Sequence, residues 1–284
     1  MKILVTGYTG QLGYDVVHQG VQLGLNMVGI GSKDLDITNK EAVSQYVKTI
    51  KPDAIIHCAA YTAVDTAEDD RDTCELVNVD GTYNLAEVSK EINAKFMYIS
   101  TDYVFNGEGE RSFKETDEPS PIGHYGRTKL AGEELVKQLT DEWFIIRISW
   151  VFGINGNNFV KTMLRLAETR DELNVVGDQF GSPTYTSDLV KLLIDMIKTD
   201  KYGIYHASNE GFCSWAEFAQ EIFRQANIEV KVNSISTEEY PTRAARPKNS
   251  RMSKQKLVDN GFSPLPRWQD AVERYLKQLN YGVE

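Results

Sequence analysis

Tyr125-Gly126-Arg127-Thr128-Lys129 sets a phenol and an ammonium group four residues apart. On a helix that spacing brings both side chains to one face, a turn apart. A neighbouring positive charge favours the phenolate, so the pair predicts a tyrosine more acidic than its ordinary pKa of about 10. Such a group suits delivery of a proton to the alkoxide that forms as a ketone accepts hydride. A lone Tyr-x-x-x-Lys also arises in ordinary surface helices. Here it has to be read together with the threonine of Ser100-Thr101-Asp102-Tyr103 and with a second motif at the N-terminus.

That second motif starts where Lys2 to Thr6, a short apolar run that predicts a buried strand, meets Gly7-Tyr8-Thr9-Gly10-Gln11-Leu12-Gly13. A helical pattern then resumes through Val16, Val17, Val21 and Leu23. A glycine-rich turn between a first strand and a first helix lets the backbone approach a pyrophosphate, which the helix N-terminus also attracts. The spacing is GxxGxxG, not GxGxxG. The same glycines would also serve a tight turn without a ligand.

The elements that must hold these residues follow from pattern. Strands are predicted at residues 2–6, 27–30, 54–57, 95–100 and 143–149, with helices near 11–24, 40–50, 72–92 and 124–140 between them. Such alternation predicts an α/β fold, a doubly wound parallel sheet with right-handed crossovers. From about residue 153 the rhythm changes. Helices are expected near 157–169, 187–198, 214–227 and 267–279, and short strands near 173–176, 203–206 and 230–233. We therefore divide the chain into residues 1–152, the dinucleotide-binding part, and 153–284, a smaller α+β lobe that closes over the strand ends and can return strands to the main sheet. Tyr240 to Arg251 (YPTRAARPKNSR) has no period and reads as a loop.

Composition narrows the function classes. With 284 residues the chain can bury a large core. A formal charge of −10 argues against non-specific nucleic-acid binding. No apolar run is long enough for a membrane span, and Met1 leads directly into the first strand, so a soluble, cytoplasmic protein is expected. Cys58, Cys74 and Cys213 show no CxxC, and His18, His57, His124 and His206 show no HxxxH or HExxH, so no catalytic metal is predicted.

The segments TGYTGQLG, AAYTAVDTAE, STDYVFNG, YGRTKLAGE, RISWVFG, NNFVKTMLRLA, DQFGSPT and RPKNSR run from end to end of the chain. In that order they resemble the dTDP-4-dehydrorhamnose reductase family of extended short-chain dehydrogenase/reductases. The resemblance implies a Rossmann-type domain with a sugar-nucleotide-binding C-terminal lobe. The implied reaction reduces the C4 ketone of dTDP-4-dehydro-L-rhamnose to dTDP-L-rhamnose with NADPH or NADH, within dTDP-rhamnose and cell-surface polysaccharide biosynthesis.

Matched residue by residue, Thr101, Tyr125 and Lys129 fall on the family's catalytic trio. Thr101 suits a hydrogen bond to the ketone oxygen, Tyr125 supplies the proton, and Lys129 holds the nicotinamide ribose. In the related 4,6-dehydratases the threonine is followed by Asp-Glu, an acid and base for elimination. Here Thr101-Asp102-Tyr103 lacks that glutamate, which favours net reduction. Asp102, Tyr103 and Trp150 match substrate-contacting positions, although Trp150 also fits a core aromatic.

Cofactor contacts are expected from Gly7, Gly10, Gln11, Leu12 and Gly13, with Ala59, Ala60, Tyr61 and Thr62 along the wall after the third strand. After the second strand the sequence runs Ile30-Gly31-Ser32-Lys33, with no acid before Asp34. Ser32 and Lys33 suit a 2′-phosphate, so NADPH is preferred, with NADH open. Asp36 and Ile37 resemble the pair that reads adenine. Among Lys161, Arg165, Arg243, Arg246 and Arg251, Arg246 is the favoured partner for the substrate diphosphate. Asn157 and Asn158 are further nucleotide candidates. Some family members are described as magnesium-dependent dimers. Asp15 fits one such carboxylate, but residues 186–188 offer only Asp188, so magnesium is not predicted and a homodimer stays open. Alternative readings are a sugar-nucleotide epimerase, a reductase of another nucleotide sugar, and a non-catalytic regulatory subunit.

Overall fold

The computed structural model describes residues 1–281. Its first half alternates as expected: β1 (Lys2–Thr6), α1 (Gln11–Gln22), β2 (Asn26–Ile30), α2 (Lys40–Ile50), β3 (Ala54–His57), α3 (Arg71–Glu75), α4 (Gly81–Glu91), β4 (Lys95–Thr101), α5 (His124–Leu139) and β5 (Trp143–Ile148). The second half adds β6 (Val151–Phe152), α6 (Phe159–Ala167), β7 (Glu172–Val176), β8 (Phe180–Gly181), β9 (Thr184–Tyr185) and α7 (Thr186–Ile197). It continues through β10 (Gly203–His206), β11 (Cys213–Ser214), α8 (Trp215–Ala226), β12 (Lys231–Ile235), α9 (Gln255–Asp259) and α10 (Trp268–Gln278).

The main sheet is parallel throughout, in the order β10-β5-β4-β3-β1-β2. Its strands are apolar at consecutive positions because both faces are covered. Ile3, Val5, Ile56, Met97 and Ile146 share a core with Val16 of α1 and Leu193 of α7. Leu4, Ile55, Phe96, Tyr98 and Ile145 pack with Val43 of α2, Leu85 of α4 and Val136 of α5. The chain winds outward from β1 in both directions, so a crevice opens beyond the carboxyl ends of β1 and β3, where ligands bind in doubly wound sheets.

A separate core joins Phe152, Val160 of α6, Leu173 of β7, Phe218 and Ile222 of α8, and Tyr275 of α10. This half also returns to the first. β10 pairs with β5 from Gly203↔Phe144 to His206↔Arg147.

One helix expected across 72–92 is instead α3, a π-helical turn at Leu76–Asp80, and α4. The reason is Asn78, which the wider turn directs into the core. Its side chain accepts from Tyr61 N (2.8 Å) and donates to Tyr61 O (3.3 Å) and to the Thr128 hydroxyl (3.0 Å). A π turn of this kind leaves the hydrophobic pattern nearly unchanged and so escapes a periodicity reading. The two-residue strands β6, β8, β9 and β11 carry no period at all.

Candidate active site

The crevice deepens into a cavity of about 650 Å³ that runs from the glycine-rich turn to the ends of β4 and α5. At one end the glycines are required by space. Gly7 has φ 70°, and a Cβ there would stand 2.6 Å from Ala59 N. A Cβ on Gly13 would stand 2.3 Å from Gly7 O. With Gly10 as its N-cap, α1 has no side-chain cap and no acid in its first turn. Its free N–H groups and positive end therefore suit a diphosphate at the wall formed by Gly10, Gln11, Leu12 and Gly13.

Further along this wall lie Ser32, Ile37, Ala59, Ala60 and Thr62. Lys33 and Asp36 are exposed and stand off it. The Asp36 carboxylate accepts from Thr38 N (3.0 Å) and the Thr38 hydroxyl (2.8 Å), so Ile37 alone of that pair faces the cavity. Asp34 folds back to accept from Gly31 N at 2.8 Å. Tyr61 also stands off the wall, its backbone held by Asn78 and its phenol donating to Asp70 at 3.2 Å.

At the other end β4 stops at Thr101, and α5 directs Tyr125 and Lys129 at the same space. Lys129 is 2% exposed, with its Nζ 4.0 Å from the centre of the Tyr98 ring. Burial pushes its pKa down to about 7, opposed chiefly by the carboxylate of Glu133. Tyr125 is half-buried. Burial pushes its phenol above the ordinary value, the Thr101 hydroxyl opposes this, and Asp102 adds to it. The acidic phenol expected from the Lys129 spacing is thus corrected: burial raises the phenol pKa, and Tyr125 holds its proton at neutral pH.

Asp102 is 3% exposed, and burial pushes its pKa up to about 6, opposed by the nearby Ser250 and Thr101 hydroxyls. Tyr103 meets Tyr125 edge-on, with ring centres 5.7 Å apart. The Tyr103 hydroxyl accepts from Arg246 Nη1 (2.9 Å), and Arg246 Nη2 donates to Asp65 (2.5 Å). Arg246 thus reaches the site's edge already paired. On the far wall Trp150 adopts φ 48° and lies flat on Trp215, 3.6 Å between ring centres and 14° between planes.

The other basic candidates lie off the wall. Lys161 donates to the carbonyls of Ile154 (2.6 Å) and Gly156 (2.9 Å), Arg243 pairs with Asp69, Arg251 lies over the Phe180 ring, and Arg165 is exposed. Asn157 lines the cavity, whereas Asn158 caps α6 and donates to Gln11 Oε1 at 3.0 Å. Asp188 is held by Arg274 (2.6 and 2.8 Å), and Asp15 accepts from the Thr186 hydroxyl. No group of three or more His, Cys, Asp or Glu side chains suited to a metal ion occurs among the described residues.

Sequence reasoning missed Asn78, Asp65, Trp215 and a buried ion pair behind the site, Glu133 with Arg147. Only Glu133 left a signal, because it stands four residues after Lys129 and so shares its helical face.

The model of the RmlD substrate binding domain family matches residues 1–281. The chain is 42% identical to the spore coat polysaccharide biosynthesis protein SpsK of Bacillus subtilis, covering 100% of this chain and 99% of that one. It is 40% identical to dTDP-4-dehydrorhamnose reductase of Escherichia coli K12, over 98% of both chains. A crystal structure of dTDP-4-dehydrorhamnose reductase from Bacillus anthracis in complex with NADP superposes with a TM-score of 0.95 at 46% identity, covering 98% of this chain and 100% of that one. With the fold, the cavity and these likenesses in agreement, the chain belongs to the RmlD substrate binding domain family, that of the dTDP-4-dehydrorhamnose reductases.

Proposed function

We propose that this protein reduces the C4 ketone of dTDP-4-dehydro-L-rhamnose to give dTDP-L-rhamnose, with NADPH as reductant. The observation that carries the reading is the convergence of Thr101, Tyr125 and Lys129 on one cavity whose opposite end is the glycine-rich turn. Gly7, Gly10 and Gly13 with the open N-terminus of α1 hold the dinucleotide's diphosphate, and Ala59, Ala60 and Thr62 let it lie close to the backbone. When bound, the reduced nicotinamide supplies the hydride. Lys129 holds the adjoining ribose through its ammonium. Thr101 donates to the ketone oxygen as charge grows there, and Tyr125 gives that oxygen its proton. Tyr125 keeps its proton at neutral pH, and the alkoxide, a stronger base than phenolate, can take it as it forms.

On the substrate side Asp102, Tyr103 and Trp150 bound the sugar. Arg246 meets the diphosphate once its bond to Asp65 is exchanged for the ligand. Residues 1–152 form the cofactor part and 153–284 chiefly the sugar-nucleotide part. Tyr103 stands where a dehydratase would need its glutamate, which supports reduction over elimination. Asp34 is turned back onto Gly31 N and Ser32 lines the cavity, which supports NADPH over NADH, with the exposed Lys33 beside it as the cation for the 2′-phosphate. The place of action is the cytoplasm; no described helix is long and apolar enough to cross a membrane.

The test is oxidation of NADPH and NADH at 340 nm with dTDP-4-dehydro-L-rhamnose, with product identification. Formation of dTDP-L-rhamnose, faster with NADPH, is expected, and Lys33→Ala should narrow the preference. Cofactor that stays bound through purification, with C4 inversion and no net oxidation, would replace the reading with an epimerase.

A further inference from the structure

Behind the cavity three buried charges meet on two elements. Lys129 and Glu133 stand one turn apart on α5, and Arg147 lies on β5; all three are 2% exposed or less. Arg147 grips Glu133 through both carboxylate oxygens, Nε to Oε1 at 2.9 Å and Nη2 to Oε2 at 2.7 Å. The Ser100 hydroxyl donates to Glu133 Oε1 at 2.5 Å. Ser100 immediately precedes Thr101 at the end of β4, and Tyr125 begins the helical face on which Glu133 lies. The carboxylate therefore touches the strand that carries Thr101, the helix that carries Tyr125 and Lys129, and the next strand of the sheet. Burying such a pair costs desolvation that its own attraction barely offsets, so it is weak evidence of a stabilising role and leaves its placement to be explained.

We propose that Glu133, braced by Ser100 and Arg147, is the positioning residue of this site: it locks the end of β4 against α5 and keeps the Lys129 side chain an ammonium. The groups facing Lys129 bear this out. From the end of β3 comes the His57 ring and from the residue after it the Cys58 thiol, from α3 the Cys74 thiol, and from β4 the face of Tyr98. From α5 itself comes Glu133. The phenol of Tyr98 and both thiols are pushed up by burial, and His57 is pushed down to about 3, so all four are uncharged at neutral pH. Glu133 is then the anion that opposes the desolvation of Lys129.

The role rests on the reductase reading for its effect on rate, but not for its effect on the lysine. The test is the titration of the Lys129 side chain by ¹³C NMR in ligand-free protein, assigned by Lys129→Met, beside the pH profile of NADPH oxidation. In Glu133→Gln the midpoint should fall by a unit or more from about 7. Turnover at pH 8 should then fall at least about tenfold relative to wild type, since one unit is a factor of ten in protonated fraction above the midpoint. The deficit should narrow toward pH 6. Glu133→Asp, which keeps the charge but shortens the reach to Ser100 and Arg147, should leave the midpoint in place and lower kcat evenly across pH. Should Glu133→Gln fail to fold with Arg147 left unpaired, Glu133→Gln with Arg147→Met removes both charges together and should still lower the midpoint. A Lys129 midpoint unmoved in the Gln variants overturns the proposal. A shifted midpoint in a protein that oxidises no NADPH with this sugar would sustain Glu133 and refute the reductase assignment.

Discussion

Thr101 donates its hydroxyl to Oδ1 of its neighbour Asp102 at 3.0 Å, while Asp102 Oδ2 is buried without a protein partner. One oxygen of this carboxylate thus takes the single hydrogen of the Thr101 hydroxyl, which has to turn away from it to reach the ketone of the proposed substrate, and the other oxygen is open to a hydroxyl of that proposed sugar. The arrangement costs stability before substrate binds, because a charged oxygen has lost water and gained nothing.

That cost has a definite pH dependence. Asp102 is raised from 3.8 to about 6, so the folded protein binds this proton more tightly than the unfolded chain does. Below the unfolded value both states are protonated and no penalty exists. It grows as pH rises through the folded value, to about 3 kcal/mol at one pKa unit per 1.36 kcal/mol. Asp102→Asn should therefore raise the melting temperature at pH 7.5 and leave it nearly unchanged near pH 3.5. The same change should raise the sugar KM about tenfold or more, as expected for loss of a charged hydrogen-bond acceptor. An equal gain in melting temperature at both pH values would show that burial of charge is not the cause.

Tyr125→Phe should lower kcat by about 10²- to 10⁴-fold, the range for removal of a general acid. NADPH affinity, measured by fluorescence titration, should stay within about twofold, because the task proposed for the phenol is proton transfer. The rate should decline above pH 7 through Lys129 and not through Tyr125, whose phenol is raised. A fully active Phe variant would remove Tyr125 from the proton-donor role.

The sheet, its flanking helices and the shared helical face of Tyr125 and Lys129 were legible because each rests on local period or short spacing, whereas Thr101 was read through the family resemblance. Lys2–Thr6 and Ala54–His57 are apolar at every position, and Tyr125 and Lys129 are a turn apart wherever they sit on a helix. What escaped depends on burial or on distant partners. The sign of the Tyr125 shift needed the depth of the phenol, which spacing does not contain. Arg246 reads as a free cation until Asp65, 181 residues away, is found holding it. Glu133 shares a face with Lys129 yet reads as an ordinary solvated charge, because the partner that permits its burial lies on a strand that otherwise looks purely apolar.

The glycine-rich turn offers a test by volume alone. At Gly13 an added methyl would meet backbone, Gly7 O at 2.3 Å, and neither α1 nor the turn can yield without moving the other. Gly13→Ala should weaken NADPH binding by about ten- to a hundredfold, matching the 1–3 kcal/mol of an overpacked site. Gly20→Ala is the control, since the atoms nearest its methyl would be those of the flexible Met27 side chain, not backbone. Equal effects of the two on NADPH affinity would mean that the turn does not hold the cofactor.

Trp150 is the one non-glycine residue of the described cavity wall with a positive φ, 48°, which costs a bulky residue about 1–3 kcal/mol and persists only where its surroundings enforce it. The enforcing group is Trp215, stacked at 3.6 Å and backed in turn by Phe159 at 4.7 Å between ring centres. Gly181 admits the ring from the other segment of that lobe, where a Cβ would stand 2.8 Å from it. Trp215 is off the cavity wall, so its removal leaves the surface chemistry intact and releases only the support. Trp215→Ala should raise the sugar KM about three- to tenfold, the worth of an aromatic stack of 0.5–1.5 kcal/mol, with NADPH affinity unchanged. Steady-state kinetics with each ligand varied in turn separates the two effects. A sugar KM that stays constant while the melting temperature drops would assign the stack to core packing and take Trp150 out of substrate positioning.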